Sequence, residues 1–194
     1  GTLLVCVPRN HGAGDGCVQA YNLRTILTND PANRLPTTPP PGYDRDELRR
    51  RLTQDINWAP TPPTVNQPNH KTYLNLPELV GRQYGYPCGD WPTRQRIIAE
   101  HALITRSLLY YMQHDPAVPE DQRRAWREWG LPRDEFADND HLPYEIYVRE
   151  ARRIVGRGVS FSEHDGRLAP GLQRAPIYGD AISITEWFLD SHAC

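Results

Sequence analysis

Arg149, Arg152 and Arg153 crowd five positions of the sequence, and by type and spacing they are the residues best suited to chemistry. A guanidinium stays protonated at any working pH and offers a planar fork of donors to a carboxylate or phosphate. The three lie in the stretch from His141 to Gly156. Pro143 suits a first helical turn, Gly156 suits a left-handed close, and Arg152 and Arg153 fall near the end where the helix dipole favours cations. The spacing therefore predicts a short helix. Tyr147, Ala151 and Ile154 would form its buried stripe, and Arg149 and Arg152, three positions apart, would converge on a single bound anion. The plainer alternative is a face of solvated or carboxylate-paired charge.

Other candidates are weaker. Asp190, Ser191 and His192 contain the residue types of a hydrolase triad, but three adjacent residues at a strand end cannot face one another, and no G-x-S-x-G turn accompanies them. His192 alone, just past a strand end, is suited to donate a proton near neutrality. Gly12, Gly14 and Gly16 alternate as G-x-G-x-G ahead of a strand-like run; a pyrophosphate fingerprint needs G-x-G-x-x-G leading into a helix. The 24 acidic residues offer too many pairs to single out one for glycoside hydrolysis. Cys6, Cys17, Cys88 and Cys194 show no C-x-x-C pair and no zinc spacing, so no metal site is expected. Cys6 and Cys17 suit a bond between neighbouring strands, and a reduced state suits four sparse cysteines equally well.

These residues need a scaffold. The 194 residues, 38% hydrophobic and including 19 prolines, predict one domain with a modest core and long irregular connections. A net charge of −2 excludes strong general attraction to nucleic acid or anionic membranes, and no apolar run approaches the roughly 20 residues that span a bilayer. A soluble protein is expected, its compartment open. The chain starts at Gly1 without a signal pattern, as expected of a piece of a longer protein or of the mature part of one.

In chain order, Thr2–Val7 and Val18–Leu27 read as strands, Asp30–Tyr43 as a proline-rich loop, and Asp44 as the cap of a helix to about Gln54, with Glu47 completing a capping box. A second proline-rich stretch, Trp58–Asn69, reads as extended and irregular. Pro92 opens the longest helix, to His114, with Ile97, Ile104, Leu108 and Tyr111 on its buried stripe and His101 within that stripe as a core histidine. Pro119 opens another, anchored by Trp126 and Trp129 and ended by Gly130. Ala181–Leu189 alternates as a final strand. The expected class is α+β: a helix-rich domain with a small β-sheet and long proline-rich loops.

Four ordered blocks carry a resemblance: Val18–Arg24 with Leu27–Arg34; Leu109–Phe136, with Asp115-Pro116 and Trp129-Gly130-Leu131; Tyr147–Gly156; and Asp190-Ser191-His192. Together they resemble a family of FAD-dependent oxidoreductases over about the whole chain. The resemblance implies FAD as the cofactor of the full protein, bound by a dinucleotide-binding domain built from segments on either side of this chain, with residues 1–194 as its substrate or cap region. On that footing Arg149 and Arg152 are candidates to bind an anionic substrate or the flavin pyrophosphate, Asp190 joins them in substrate binding, and His192 is the catalytic candidate. Without G-x-G-x-x-G, the chain by itself is expected neither to bind FAD nor to turn over. Its expected partners are the FAD-binding remainder of the same protein and a small-molecule substrate, with no nucleic acid and no membrane. A noncatalytic binding or interaction module is the alternative.

Overall fold

A computed structural model of the chain describes residues 17–54, 60–152, 157–158, 163–183 and 192. They divide into two compact units, one comprising the described residues up to Ala151 and one those from Arg152 to His192.

In the first unit the two longer helices start where the sequence places a capping carboxylate. Helix α1 runs Arg45–Gln54, and Asp44 Oδ1 accepts from the N–H groups of Asp46 (3.0 Å) and Glu47 (2.9 Å). Glu47 does not reach back to complete a capping box. Its carboxylate turns forward to Arg50 and to Arg51 Nε at 2.7 Å, since two guanidiniums one turn on outbid a single backbone N–H. Helix α2 runs Trp91–His114, with Asp90 accepting from the Thr93 N–H (3.0 Å) and a proline in its first turn. It stops at Asp115, whose backbone is extended because Pro116 follows. Helix α3, Glu120–Arg127, follows Pro119.

Two four-residue strands complete the unit. Strand β1, Thr25–Thr28, is shorter than the expected run from Val18, and strand β2, Lys71–Leu74, was not expected from the sequence. They pair antiparallel, with Thr25 opposite Leu74, Ile26 opposite Tyr73, Leu27 opposite Thr72 and Thr28 opposite Lys71. Period-two alternation turns Leu27 and Leu74 into the core and leaves Ile26 and Tyr73 on the outer face. The class is α+β, as expected.

One core cluster joins Leu27, Leu74, Leu48 of α1, Leu108 and Met112 of α2, and Trp126 of α3; a second joins Tyr21 and Leu23 to Ile97, Leu142 and Ile146. The expected stripe of α2 is buried, His101 included. Gly130 sits where nothing larger fits, because an added Cβ would lie 2.7 Å from both Arg34 Cγ and the Leu35 carbonyl. Gly130 and Thr28 also exchange both backbone hydrogen bonds, 2.9 and 3.1 Å, which fixes the chain at Gly130 to β1.

The arginine-bearing helix expected from Pro143 is absent over residues 141–152. Asp140 and His141 turn through positive φ (52° and 61°), and the Tyr147 N–H donates to the Asn22 carbonyl (2.8 Å) in an isolated antiparallel bridge. Ile146-Tyr147-Val148 is a β-branched and aromatic triplet, and a strand-like partner at 19–22 offers its backbone bonds that a lone helix does not. Accordingly Tyr147 and Ala151, expected buried, are exposed. Ile154 and Gly156 lie outside the described residues, as do the expected strand Thr2–Val7 and most of Ala181–Leu189, of which Ala181, Ile182 and Ser183 are irregular and exposed. Cys17 is disulfide-bonded and Cys88 is a free exposed thiol; Cys6 and Cys194 lie outside the described residues.

In the second unit a single turn, α4, spans Glu163–Gly166, and the Tyr178 hydroxyl donates to Asp165 Oδ1 at 2.7 Å.

His101, 1% exposed, makes folding sensitive to pH. Its Nδ1 lies 2.7 Å from the Ile97 carbonyl, which can only accept, so the neutral ring carries its proton there. Burial holds the pKa below its ordinary 6.5, and the bond to Ile97 only partly offsets this. The unfolded chain therefore takes up a proton that the folded chain refuses. The contribution to stability is complete above about pH 6.5 and declines as pH falls from there toward the folded pKa, at most about 1.4 kcal/mol per pH unit. Urea unfolding at about pH 7.5 and about pH 5.5 should show this loss in the parent chain, and a smaller one in His101→Gln.

Candidate functional site

The outer face of the β1–β2 ribbon forms the floor of an open cleft of about 440 Å³. Ile26 and Tyr73 lie at its centre, with Arg24 at one end and Lys71 beside Glu135 at the other. Gln67, Pro68 and Asn69 supply the wall. That wall is a tight turn into β2: Asn69 and His70 both adopt positive φ (61° and 58°), and the Gln67 N–H donates to the Lys71 carbonyl at 3.0 Å. The His70 carbonyl in turn accepts from the Asn29 N–H (3.1 Å) and the Thr28 hydroxyl (3.2 Å), which fixes the turn against β1.

The two cations of the cleft are in different electrostatic states. Lys71 Nζ lies 2.6 Å from Glu135 and 2.9 Å from Asp134. Burial alone would lower the Lys71 pKa, but the hydrogen bonds to the two carboxylates outweigh it and the pKa rises. The same bond, with one from Asn33, holds Asp134 below the usual carboxylate range. This end is a closed ion cluster with one carboxylate in excess. At the other end Arg24 is exposed, and no carboxylate of the described residues lies within 4 Å of it. Its guanidinium carbon lies 4.2 Å from the centre of the Tyr147 ring and 5.4 Å from that of Tyr73.

Behind Arg24 stands a buried polar frame. Asn75 Oδ1 accepts from Asn22 Nδ2 (2.8 Å), Arg149 Nη2 (3.1 Å) and, at longer range, Arg24 Nε (3.4 Å). The Arg149 side chain, 5% exposed, also pairs with Glu78 Oε1 at 2.9 Å and donates to the Ala20 carbonyl at 2.7 Å. Glu150 joins the frame through its Oε2, which accepts from the Gln19 N–H (3.1 Å), and its carbonyl, which accepts from the Tyr21 hydroxyl. Burial first, and the Glu150 charge second, push the Tyr21 pKa to about 12, so that hydroxyl stays a donor.

The sequence-predicted residues do not all fall in one unit. Arg149 lies in this frame, beside Arg24 over the Tyr147 ring (5.0 Å). Arg152 is exposed, and it and the half-buried His192 belong to the second unit. Asp190 lies outside the described residues. Sequence reasoning passed over Arg24, Tyr73, Lys71 and Glu135. For Arg24 a signal was present: it closes the Val18–Arg24 block and stands two positions before Ile26, at strand spacing. Among the described residues no group of His, Cys, Asp and Glu is arranged to hold a metal ion, and no helix is long and apolar enough to cross a membrane.

The first unit is thus a small α+β arrangement with an oriented cation at one end of an open cleft. The chain belongs to the FAD dependent oxidoreductase family, whose model matches residues 3–194. No curated protein and no solved structure matches it.

The family implies FAD, and none of the starts of α1, α2 and α3 suits its pyrophosphate. A pyrophosphate site at a helix start needs bare N–H groups. Here the start of α1 is held by Asp44, that of α2 by Asp90, and the first turn of α3 carries Glu120 and Asp121. Each presents a carboxylate where an anion would have to sit.

Proposed function

We propose that this chain is the substrate-side portion of an FAD-dependent oxidoreductase, presenting a small-molecule substrate to a flavin held by other segments of the same protein. In such enzymes the redox chemistry is the flavin's, and the protein's share is to bind, orient and balance charge. The observation that carries the reading is Arg24: an oriented, exposed guanidinium without a carboxylate partner, at the end of a cleft whose other cation is already paired with carboxylates. The blocks behind the family resemblance supply the support. Residues 19–22 bond to 147–150, and residues 33–35 bond to 131–134, so segments far apart in the chain build one frame around the cleft. In this reading Arg24 contacts the substrate and Arg149 positions it through Asn75. Arg152, Asp190 and His192 keep their proposed roles, in substrate binding for the first two and proton donation for His192, on the resemblance alone.

The test is cofactor content. The complete protein should purify yellow, with FAD near one equivalent, whereas the 194-residue chain should be colourless and bind added FAD weakly or not at all. A stoichiometric yellow complex of the chain would overturn the division of labour, and a complete protein that takes up no flavin would remove the enzyme reading.

A further inference from the structure

We infer that the Arg24 cleft takes a small organic monoanion, a carboxylate carried on a planar apolar body. That this ligand is the substrate rests on the function proposed above; binding itself requires no flavin.

The carboxylate follows from what Arg24 has left to give. A guanidinium carries five N–H donors, and the protein uses one, Nε toward Asn75. The remaining fork is held against two tyrosine rings before any ligand arrives, so little side-chain freedom is lost when it binds. A planar two-oxygen acceptor matches that fork.

The single charge follows from the far end. Lys71 is already claimed by Asp134 and Glu135, and its cluster carries one carboxylate in excess. Alternation places the Arg24 row and the Lys71 row four residues apart along β1, about 13 Å at strand rise. A long polyanion laid in the cleft would bring negative charge onto Glu135. Phosphate chains and nucleic acid are disfavoured for that reason, and a compact molecule charged only at its Arg24 end is favoured.

The planar body follows from the middle. Between the two rows lie Ile26 and the ring of Tyr73, 41% exposed, with Pro68 on the wall. These are the cleft's apolar surfaces, while the amides of Gln67 and Asn69 remain for a polar substituent. A cleft of about 440 Å³ accommodates one ring and its substituents.

Benzoate is the probe. Titrated into the 194-residue chain by calorimetry, it should bind saturably with a Kd of about 1 mM or tighter. Benzyl alcohol, which keeps the ring without the charge, and acetate, which keeps the charge without the ring, should each bind at least about tenfold more weakly, and so should inorganic phosphate. Arg24→Ala should weaken benzoate at least about tenfold with an unchanged near-ultraviolet circular dichroism spectrum, while Arg124→Ala on α3 leaves it unaltered. Should the alanine variant fail to fold, Arg24→Lys keeps the charge and loses the fork, and it too should bind benzoate severalfold more weakly. The inference is overturned by absent or non-saturable benzoate binding, by undiminished binding in a folded Arg24 variant, or by acetate or phosphate binding as tightly as benzoate. Flavin content separates the two ideas: benzoate binding by the chain together with a flavin-free complete protein keeps this inference and removes the proposed function, and the opposite pair of results does the reverse.

Discussion

Trp126→Ala is expected to lower the stability of the chain by about 3 to 5 kcal/mol, a large share of the roughly 5 to 15 kcal/mol that holds a domain folded. Trp126 is fully buried in the core cluster where the strands meet α1, α2 and α3. Truncation removes its apolar area from the core and leaves a cavity that α2, pinned by Leu108 and Leu109 in the same cluster, cannot collapse to fill. Trp126→Phe should cost much less. The buried indole N–H has no hydrogen-bond partner, so removing that donor sacrifices no bond and relieves an unsatisfied group. Arg124→Ala, on the exposed side of α3, should stay within about 0.5 kcal/mol. Urea denaturation midpoints distinguish the three, and equal small shifts for Trp126→Ala and Arg124→Ala would show that the inward face of α3 is misassigned.

The second large effect belongs to Arg149. Arg149→Met is expected to destabilise by about 3 to 5 kcal/mol, because it strips the guanidinium from Glu78 while leaving that carboxylate largely enclosed. Adding Glu78→Gln to the same chain should restore part of the loss, since a neutral amide costs less to enclose than a carboxylate that has lost the Arg149 guanidinium. Arg149→Lys should fall between, as one ammonium cannot serve Glu78, Asn75 and the Ala20 carbonyl from a single point. From sequence, Arg149 reads as a ligand-binding group whose replacement by lysine spares folding. Its burial and its contacts with Glu78, Asn75 and the Ala20 carbonyl move the expected effect from turnover to stability. Arg149→Met and Arg149→Lys of equal, undiminished stability would mean that the frame behind Arg24 contributes nothing.

Legibility followed the range of the interactions involved. Helix α2 was readable almost to the residue, because its opening proline and the spacing of Ile97, Ile104 and Leu108 are both local. Helices α1 and α3 were readable for the same reason. Strand β2 was not, since Lys71-Thr72-Tyr73-Leu74 is too short to display a period, and only its pairing with β1 makes it a strand. The misread stretch at 141–152 failed in the instructive direction: Pro143 and the arginines satisfied the local rules for a helix, and a partner at Asn22, invisible to any local rule, claimed the Tyr147 backbone. The candidate site fared likewise. Arg149 stood out because arginines clustered around it, whereas Arg24, alone among neutral neighbours, becomes notable only once the fold shows that no carboxylate has come to meet it.

The bonds from Gln19 and Tyr21 to Glu150 join residues 131 and 129 positions apart, and this bears on the order in which the protein assembles during synthesis. On the ribosome the segment that becomes β1 emerges long before the 130–150 segment that closes over it. Translation at roughly 5 to 20 residues per second makes that wait several seconds or more, while α2 and α3, neighbours in sequence, can form and dock as soon as they are out. Tyr21 and Leu23, which pack against Leu142 and Ile146, must therefore spend the interval without their final cover. The nascent chain is most exposed to chaperone capture and to misplaced strand pairing in that window, and the late arrival of a single stretch around Tyr147 ends it.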